Sequence, residues 1–186
     1  IVCVDGDDKI DPKMIETLVE GAIANDVEVV QCGYFEEIEN LQMQKPIKSE
    51  EYLIKEVDAS KLLHSWMNGR PCIGSQIWNK LYRSELFRLC YQNVPDDRNF
   101  GEDQIFFIHL LNNMKNFKVL PACLYYYRVR DNSMSHETTD NSLWFKQDNL
   151  LNCLYILVQG LGYDITEIEL RDWLFREKYG IMRGSL

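Results

Sequence analysis

Apolar residues in this chain occur either in short unbroken runs or at helical spacing, which predicts a mixed α/β fold. Residues 1–4 form an apolar run typical of a strand buried on both faces. Asp11-Pro12 then suits the start of a helix, and the apolar residues that follow recur every three or four positions. Residues 27–35 predict the next strand. Strand, helix and strand in this order are typical of a parallel sheet.

The rest of the chain continues the same mixture of elements. The predicted helices span residues 58–68, 84–91, 102–114, 143–161 and 166–179. A long strand is predicted over residues 117–130, with a break at Pro121, whereas residues 36–51 are polar and aperiodic and predict a loop. We therefore divide the chain into an α/β portion, residues 1–142, and a C-terminal helical extension, residues 143–186.

Charge, cysteine spacing and hydropathy argue against a nucleic-acid-binding protein, a zinc protein and a membrane-spanning chain. The net charge of −9 argues against nucleic acid as a partner, because phosphate-backbone binding needs a basic surface. The six cysteines do not have the spacing of a zinc site, which favours free thiols in a reducing compartment. No apolar run is long enough to span a membrane. We expect a cytoplasmic protein, with the inner face of the membrane as the alternative location.

An acidic segment, Asp5-Gly6-Asp7-Asp8, directly follows the first predicted strand. Ligands of open α/β sheets bind at the carboxyl ends of strands. Three carboxylates within four residues repel one another unless a cation or hydrogen-bond donors lie among them, and their hard oxygens suit Mn²⁺ or Mg²⁺. A solvated acidic turn remains the alternative interpretation.

A second acidic pair, Glu102-Asp103, follows Gly101 at the start of a buried helix. A carboxylate held there could remove a proton from an incoming hydroxyl group. The structural alternative is that both residues simply stabilise the positive end of the helix dipole.

Two further segments combine aromatic and basic residues. Residues 125–136 read Tyr-Tyr-Tyr-Arg-Val-Arg-Asp-Asn-Ser-Met-Ser-His, in which Arg128, Arg130 and His136 could contact phosphate. An amphipathic edge strand followed by a surface loop would read similarly. Residues 78–84 read Trp-Asn-Lys-Leu-Tyr-Arg-Ser, a weaker signal that also fits a strand leading into a capped helix.

The order and spacing of these segments resemble the family 2 glycosyltransferases, which have the GT-A fold. The matching motifs are V-D-[SG]-D-D followed by Pro at residues 4–8 and 12, N-K-L-[YF]-R at 79–83, G-E-D at 101–103 and Y-Y-R-x-R-x-N-S at 126–133. The resemblance extends to about residue 136 and implies that residues 1–142 are the metal-binding and catalytic part of a Rossmann-like GT-A domain. It also implies that a stretch holding the nucleotide base should precede residue 1.

The resemblance implies an inverting transfer of a sugar from a nucleoside diphosphate to a hydroxyl group of a glycan, a lipid-linked sugar or a polymer. Asp7, assisted by Asp5, would hold Mn²⁺ or Mg²⁺ on the diphosphate, and Asp5 could also reach the ribose. Asp103 would be the general base, supported by Glu102. The residues expected to contact the diphosphate as their loop closes are Arg128, Arg130 and His136.

Two other functions fit parts of the same pattern. A sugar-nucleotide pyrophosphorylase would share the fold, although the G-E-D and Y-R-x-R segments argue against it. A non-catalytic carbohydrate-binding domain would share the fold without needing Asp5, Asp7 or Asp103. We further expect residues 1–186 alone to be inactive and to form a homodimer, because an unpaired strand at residues 1–4 and the apolar face of the first helix would be exposed.

Overall fold

The computed structural model describes residues 1–38, 43–96, 101–129 and 141–183, which form one mixed sheet with helices on both faces. The strands of the described residues are β1 (Lys9–Ile10), β2 (Val29–Ile38), β3 (Met43–Ile47), β4 (Tyr52–Ile54), β5 (Lys80–Tyr82) and β6 (Phe117–Val129). The helices are α1 (Met14–Asn25), α2 (Ala59–Met67), α3 (Ser84–Tyr91), α4 (Glu102–Asn113), α5 (Asn141–Gly160) and α6 (Glu167–Arg183). The predicted α/β class is confirmed.

The sheet is built around β2 and β6, which are parallel to each other. Strands β3 and β5 pair antiparallel with β2, whereas β1 and β4 pair antiparallel with β6. Each central strand therefore has one short partner near its beginning and another near its end. The carboxyl ends of β2 and β6 lie at the same edge of the sheet.

The break predicted at Pro121 is an irregularity within the single strand β6. Gln31 is paired with Val119, but the next pair along the strands is Gly33 with Cys123, so β6 contributes extra residues between the two pairs. Proline has no backbone N–H for a sheet ladder, which explains why it lies at this point. Gly33 is needed opposite, because a Cβ atom there would be 2.9 Å from the carbonyl oxygen of Ile47.

Neighbouring residues of the central strands serve different hydrophobic cores, as expected from the alternation of side chains in a strand. Val30 and Cys32 pack with α1 on one face. Val29 and Phe117 belong to a larger cluster on the other face. Helices α5 and α6 contribute to that same larger cluster, through Leu150, Leu151, Leu154, Val158, Leu170 and Trp173. The C-terminal helices therefore pack into the main core.

The prediction of a strand buried on both faces at residues 1–4 is wrong. Val2 forms a single antiparallel bridge with Leu81 of β5, and the backbone of Ile1 is bonded to Tyr82. The side chains of Ile1 and Val4 are exposed. This segment runs in the direction of β2 but is separated from it by β5, so among the described strands it lies at an outer edge of the sheet.

The loop predicted over residues 36–51 is also wrong, because β2 continues to Ile38 and β3 pairs with its second half. Glu36 lies opposite Lys45, with their charged groups 3.7 Å apart, and the side-chain amide of Gln44 donates to Glu37. Strand β3 lies at the edge of the sheet, and most of its side chains are exposed. Its sequence therefore lacks the apolar alternation by which strands are recognised.

The remaining predictions of helices are confirmed, with α3 matching residue for residue and the others differing by at most four residues at either end. All six cysteines are free thiols, of which Cys32 and Cys90 are buried. On α1, Ile15, Val19 and Ile23 are exposed, so part of its apolar face is uncovered. Among the described helices, none has both the length and the apolar character needed to cross a membrane. The homodimer stays a prediction.

Candidate active site

The acidic loop, residues 5–8, is attached to β6 by hydrogen bonds rather than free in solvent. The backbone N–H of Asp8 donates to the carbonyl oxygen of Asp5, which closes a turn. The hydroxyl of Tyr125 accepts from the N–H of Asp5 at 3.1 Å and donates to Asp8 Oδ2 at 2.8 Å. The backbone N–H of Arg128 donates to the other oxygen, Oδ1, also at 2.8 Å. The loop is thus fixed against the carboxyl-terminal end of β6.

Negative charge is concentrated at Asp5. Partial burial of its carboxyl group raises the pKa of Asp5, and the neighbouring charges of Asp8, Asp7 and Glu102 raise it further. Glu102 lies 97 positions along the chain from Asp5, at the start of α4. The fold therefore brings the two acidic segments predicted from the sequence into one site.

The start of α4 holds Asp103 in a half-buried position. Burial raises the pKa of Asp103 to about 6, and Glu102 contributes in the same direction, while the charge of Lys80 and a backbone hydrogen bond from Ile77 lower it. Asp5 also raises this pKa. A carboxyl group that titrates near neutral pH can accept a proton from a bound hydroxyl more readily than an ordinary aspartate.

Gly101 is required at the residue before α4. Its φ of +79° lies in the left-handed region that favours glycine, and a Cβ atom there would lie 2.4 Å from Leu150 Cδ1 of helix α5. The first turn of α4 is thereby held close to α5. This explains the glycine of the G-E-D motif without a contact to substrate.

Sequence reasoning did not identify Lys80, a fully buried lysine. Its ammonium group donates to the carbonyl oxygen of Gln76 at 2.5 Å and to Asn79 Oδ1 at 3.1 Å. Burial lowers the pKa of Lys80 to about 7, although the charges of Asp103 and Cys32 oppose this shift. The only sequence signal for it was the N-K-L-Y-R motif, because strand alternation does not say which face of a short strand is buried.

The packing role of Trp78 at the site was also not predicted from the sequence. Its ring stacks on Tyr125 at 4.7 Å and on Tyr127 at 5.2 Å between centroids, and meets Tyr34 edge-on. The ring of Tyr125 is fully buried. The tyrosine hydroxyl that holds the acidic loop is therefore carried by a ring with little freedom to move.

The three residues predicted to contact a diphosphate differ in what the structure describes. Arg128 lies near the end of β6, and its backbone is bonded to the acidic loop. Its side chain is half-buried and lies on the strand that carries Tyr125. Arg130 and His136 fall outside the described residues.

The described residues contain no group of three or more histidine, cysteine, aspartate or glutamate side chains arranged to hold a metal ion. Asp5 and Asp7 nevertheless fit a hard divalent cation, because the charge of Asp7 acts on the carboxyl group of Asp5 and raises its pKa. Mg²⁺ is commonly bound by one or two carboxylates together with substrate phosphates. The donor set is thus one that fits a metal whose coordination is completed by a diphosphate.

Comparison with known proteins agrees with the fold. No protein-family profile matches the chain. It is 28% identical over 140 residues to the uncharacterized glycosyltransferase EpsJ of Bacillus subtilis (strain 168), a match that covers 71% of this chain and 38% of EpsJ.

Among solved structures, S. aureus TarS 1-349 in complex with UDP-GlcNAc superposes with a TM-score of 0.57 at 18% identity, covering 93% of this chain and 46% of the TarS 1-349 chain. The complex of TarS 1-349 with UDP gives a TM-score of 0.53 at 19% identity, covering 93% of this chain and 44% of the TarS 1-349 chain. The chain therefore spans less than half the length of these relatives, and it shares the fold of TarS over nearly its whole length.

Proposed function

We propose that this chain carries the catalytic part of a glycosyltransferase that moves a sugar from a nucleoside diphosphate to a hydroxyl group of a glycan or polymer. The observation that carries the proposal is the position of Asp103, a half-buried carboxyl group at the start of α4 beside the acidic loop. Its pKa of about 6 suits a general base. The similarity to EpsJ and the fold of TarS support the same reaction class.

In this reaction Asp103 removes the proton from the acceptor hydroxyl as its oxygen attacks the anomeric carbon. The bond from that carbon to the diphosphate oxygen breaks, and the nucleoside diphosphate leaves on the opposite side, so the configuration inverts. Glu102 raises the affinity of Asp103 for a proton by its neighbouring charge. The buried ammonium of Lys80 acts in the opposite direction and limits that effect.

Asp7 and Asp5 would hold Mn²⁺ or Mg²⁺ on the diphosphate. Bound there, the metal would act as a Lewis acid that neutralises charge on the leaving group. Arg128, near the end of β6, is proposed to contact the same diphosphate together with Arg130 and His136, which follow β6 in the sequence. Uridine diphosphate sugars are the first donors to test, since TarS forms a complex with UDP-GlcNAc.

The principal test is Asp103→Asn in the protein expressed from its complete reading frame. This change keeps the size of the side chain but removes the basic oxygen, so sugar transfer should fall by roughly 10²- to 10⁴-fold. Binding of UDP, measured by calorimetry, should stay nearly normal. The matched control is Asp58→Asn, which changes the capping residue of α2 in another part of the fold and should leave the turnover of folded protein unchanged.

Transfer at the wild-type rate by Asp103→Asn would show that another group is the base. Formation of a nucleoside triphosphate from pyrophosphate and the nucleotide sugar would instead identify a pyrophosphorylase. Glycan binding without any turnover would identify a non-catalytic domain. The metal is tested separately: Asp7→Ala should abolish metal-dependent transfer. Full activity of that variant, or of the wild-type protein in excess chelator, would exclude the proposed metal site.

A further inference from the structure

The acidic loop contains three aspartates, but the structure gives Asp8 a different environment from the other two. Asp8 Oδ2 accepts a hydrogen bond from the hydroxyl of Tyr125, and Asp8 Oδ1 accepts one from the backbone N–H of Arg128. We call this set of contacts the clasp: the carboxylate of Asp8, the hydroxyl of Tyr125 and the N–H of Arg128. Both contacts are 2.8 Å long and span about 120 positions of sequence.

We propose that Asp8 is the positioning residue of the acidic loop, holding it to the end of β6 through the clasp, and that it is not a third metal ligand. The assignment deepens the proposed function and depends on it only for the nucleotide-binding measurement. In this assignment Tyr125 and Arg128 act together: both bind the carboxylate of Asp8, which thereby sets the distance between the acidic loop and β6.

The direction of the hydrogen bonds supports this assignment. The N–H of Asp5 can only donate, so the Tyr125 hydroxyl accepts from it and must direct its own hydrogen to Asp8. Burial raises the pKa of Tyr125, which keeps that hydroxyl protonated. Asp8 therefore faces two donors, Tyr125 and Arg128, and only a carboxylate can accept from both.

Repulsion between the carboxylates explains why the acidic loop needs the clasp. Asp7 and Asp8 both raise the pKa of Asp5, which means that the three carboxylates repel one another when ionised. Repulsion favours open conformations of a short acidic turn. Hydrogen bonds from Tyr125 and Arg128 hold the carboxylate of Asp8 in place and oppose that opening, so Asp5 and Asp7 stay where a cation would need them.

Each carboxylate oxygen has two lone pairs, so the clasp by itself leaves room for a metal at Asp8. Replacing Tyr125 by Phe separates the two roles, because it removes the clasp hydroxyl while leaving every carboxylate in place. Asp8→Asn is the companion change: its amide can accept from only one of the two donors and presents N–H₂ to the other. If the clasp is what matters, both variants should behave alike.

The first measurement is stability without metal. In chelator, Tyr125→Phe and Asp8→Asn should each raise the equilibrium constant for unfolding by about tenfold, and the double variant should raise it by clearly less than the product of the two. Tyr163→Phe is the matched control: it removes the hydroxyl of another buried tyrosine, bonded to Asn112 at 3.4 Å, and should not couple to Asp8→Asn. Additive effects of Tyr125→Phe and Asp8→Asn would overturn the proposal.

The second measurement is binding of Mn²⁺ with UDP, followed by electron paramagnetic resonance and calorimetry. Both clasp variants should weaken binding by the same factor, about tenfold, because a smaller fraction of the protein holds the loop in place. Asp7→Asn, which changes a proposed ligand, should lose far more. Asp8→Asn behaving like Asp7→Asn, with Tyr125→Phe normal, would show that Asp8 is a ligand. If the wild-type protein binds no Mn²⁺–UDP, the donor proposal fails, and the stability measurement alone decides the clasp.

Discussion

Lys80 gives a prediction that needs no substrate. Its ordinary pKa is 10.5, and burial in the folded protein lowers it to about 7. Between these values the unfolded chain carries a proton that the folded chain lacks, so the free energy of unfolding rises with pH. From about pH 7 to about pH 8 the rise should be about 1 kcal/mol, somewhat below the limit of about 1.4 kcal/mol for one proton per pH unit.

Lys80→Met should abolish that rise, because methionine has a similar length and no proton to lose. The window begins about one pH unit above the pKa of Asp103, about 6, and ends about one pH unit below 9.0, the ordinary pKa of the cysteines whose pKa burial raises, so these groups should contribute little to the slope. Urea unfolding followed by circular dichroism at several pH values measures the quantity directly, with a constant m-value as the check on two-state behaviour.

Lys118→Met is the matched control for the same chemical change. Lys118 lies on β6, where its side chain is 15% exposed and its ammonium is 2.8 Å from Glu51. It should leave the slope of the wild-type protein intact. A wild-type protein with no slope in this window, or a Lys80→Met variant that keeps it, would show that Lys80 is not held in the neutral form by burial.

Three further predictions concern α4 and its first residues. The value of kcat/KM should fall about tenfold per pH unit below about pH 6, as Asp103 takes up its proton, and a flat profile there would contradict its role as base. Glu102→Gln should move that fall to lower pH, since the charge of Glu102 raises the pKa of Asp103; a shift to higher pH would contradict this sign. Gly101→Ala should destabilise the fold by roughly 1–3 kcal/mol in urea unfolding, through its positive φ and the clash with Leu150. Gly69→Ala is the control, because φ there is +70° but no atom lies within 4 Å of the added Cβ, so it measures the cost of the backbone conformation alone. An equal loss of unfolding free energy in the two variants would show that the clash with Leu150 contributes nothing.

Local sequence pattern was enough to predict elements that bury an apolar surface against the rest of the protein. Helix α4 is buried on most sides, and its predicted end differs from the observed one by a single residue. The pattern failed at β3, an edge strand whose exposed side chains require no apolar alternation. It failed again at residues 1–4, because an apolar run reads the same at the edge of a sheet as in its centre.

The candidate site shows the same division between local and long-range information. Asp5, Asp7 and Asp103 were visible as short acidic motifs, and the fold brings their segments together. The positioning role proposed for Asp8 could not be predicted from the sequence, because its hydrogen-bond partners lie about 120 positions away in the chain. Lys80 was hidden for a related reason, since its burial depends on tertiary packing around a three-residue strand.

Strand β6 pairs with β1, β2 and β4, all of which are synthesised before it, and this determines when the acidic loop can fold during synthesis. During synthesis the acidic loop leaves the ribosome more than a hundred residues before Tyr125 and Arg128. Contacts between such distant segments form late, because the entropy cost of closing the long intervening loop comes before the free energy gained from the contacts. A nascent chain that has not yet produced β6 therefore carries its carboxylates in an unfastened turn. The acidic loop can reach its final position only once β6 has been translated.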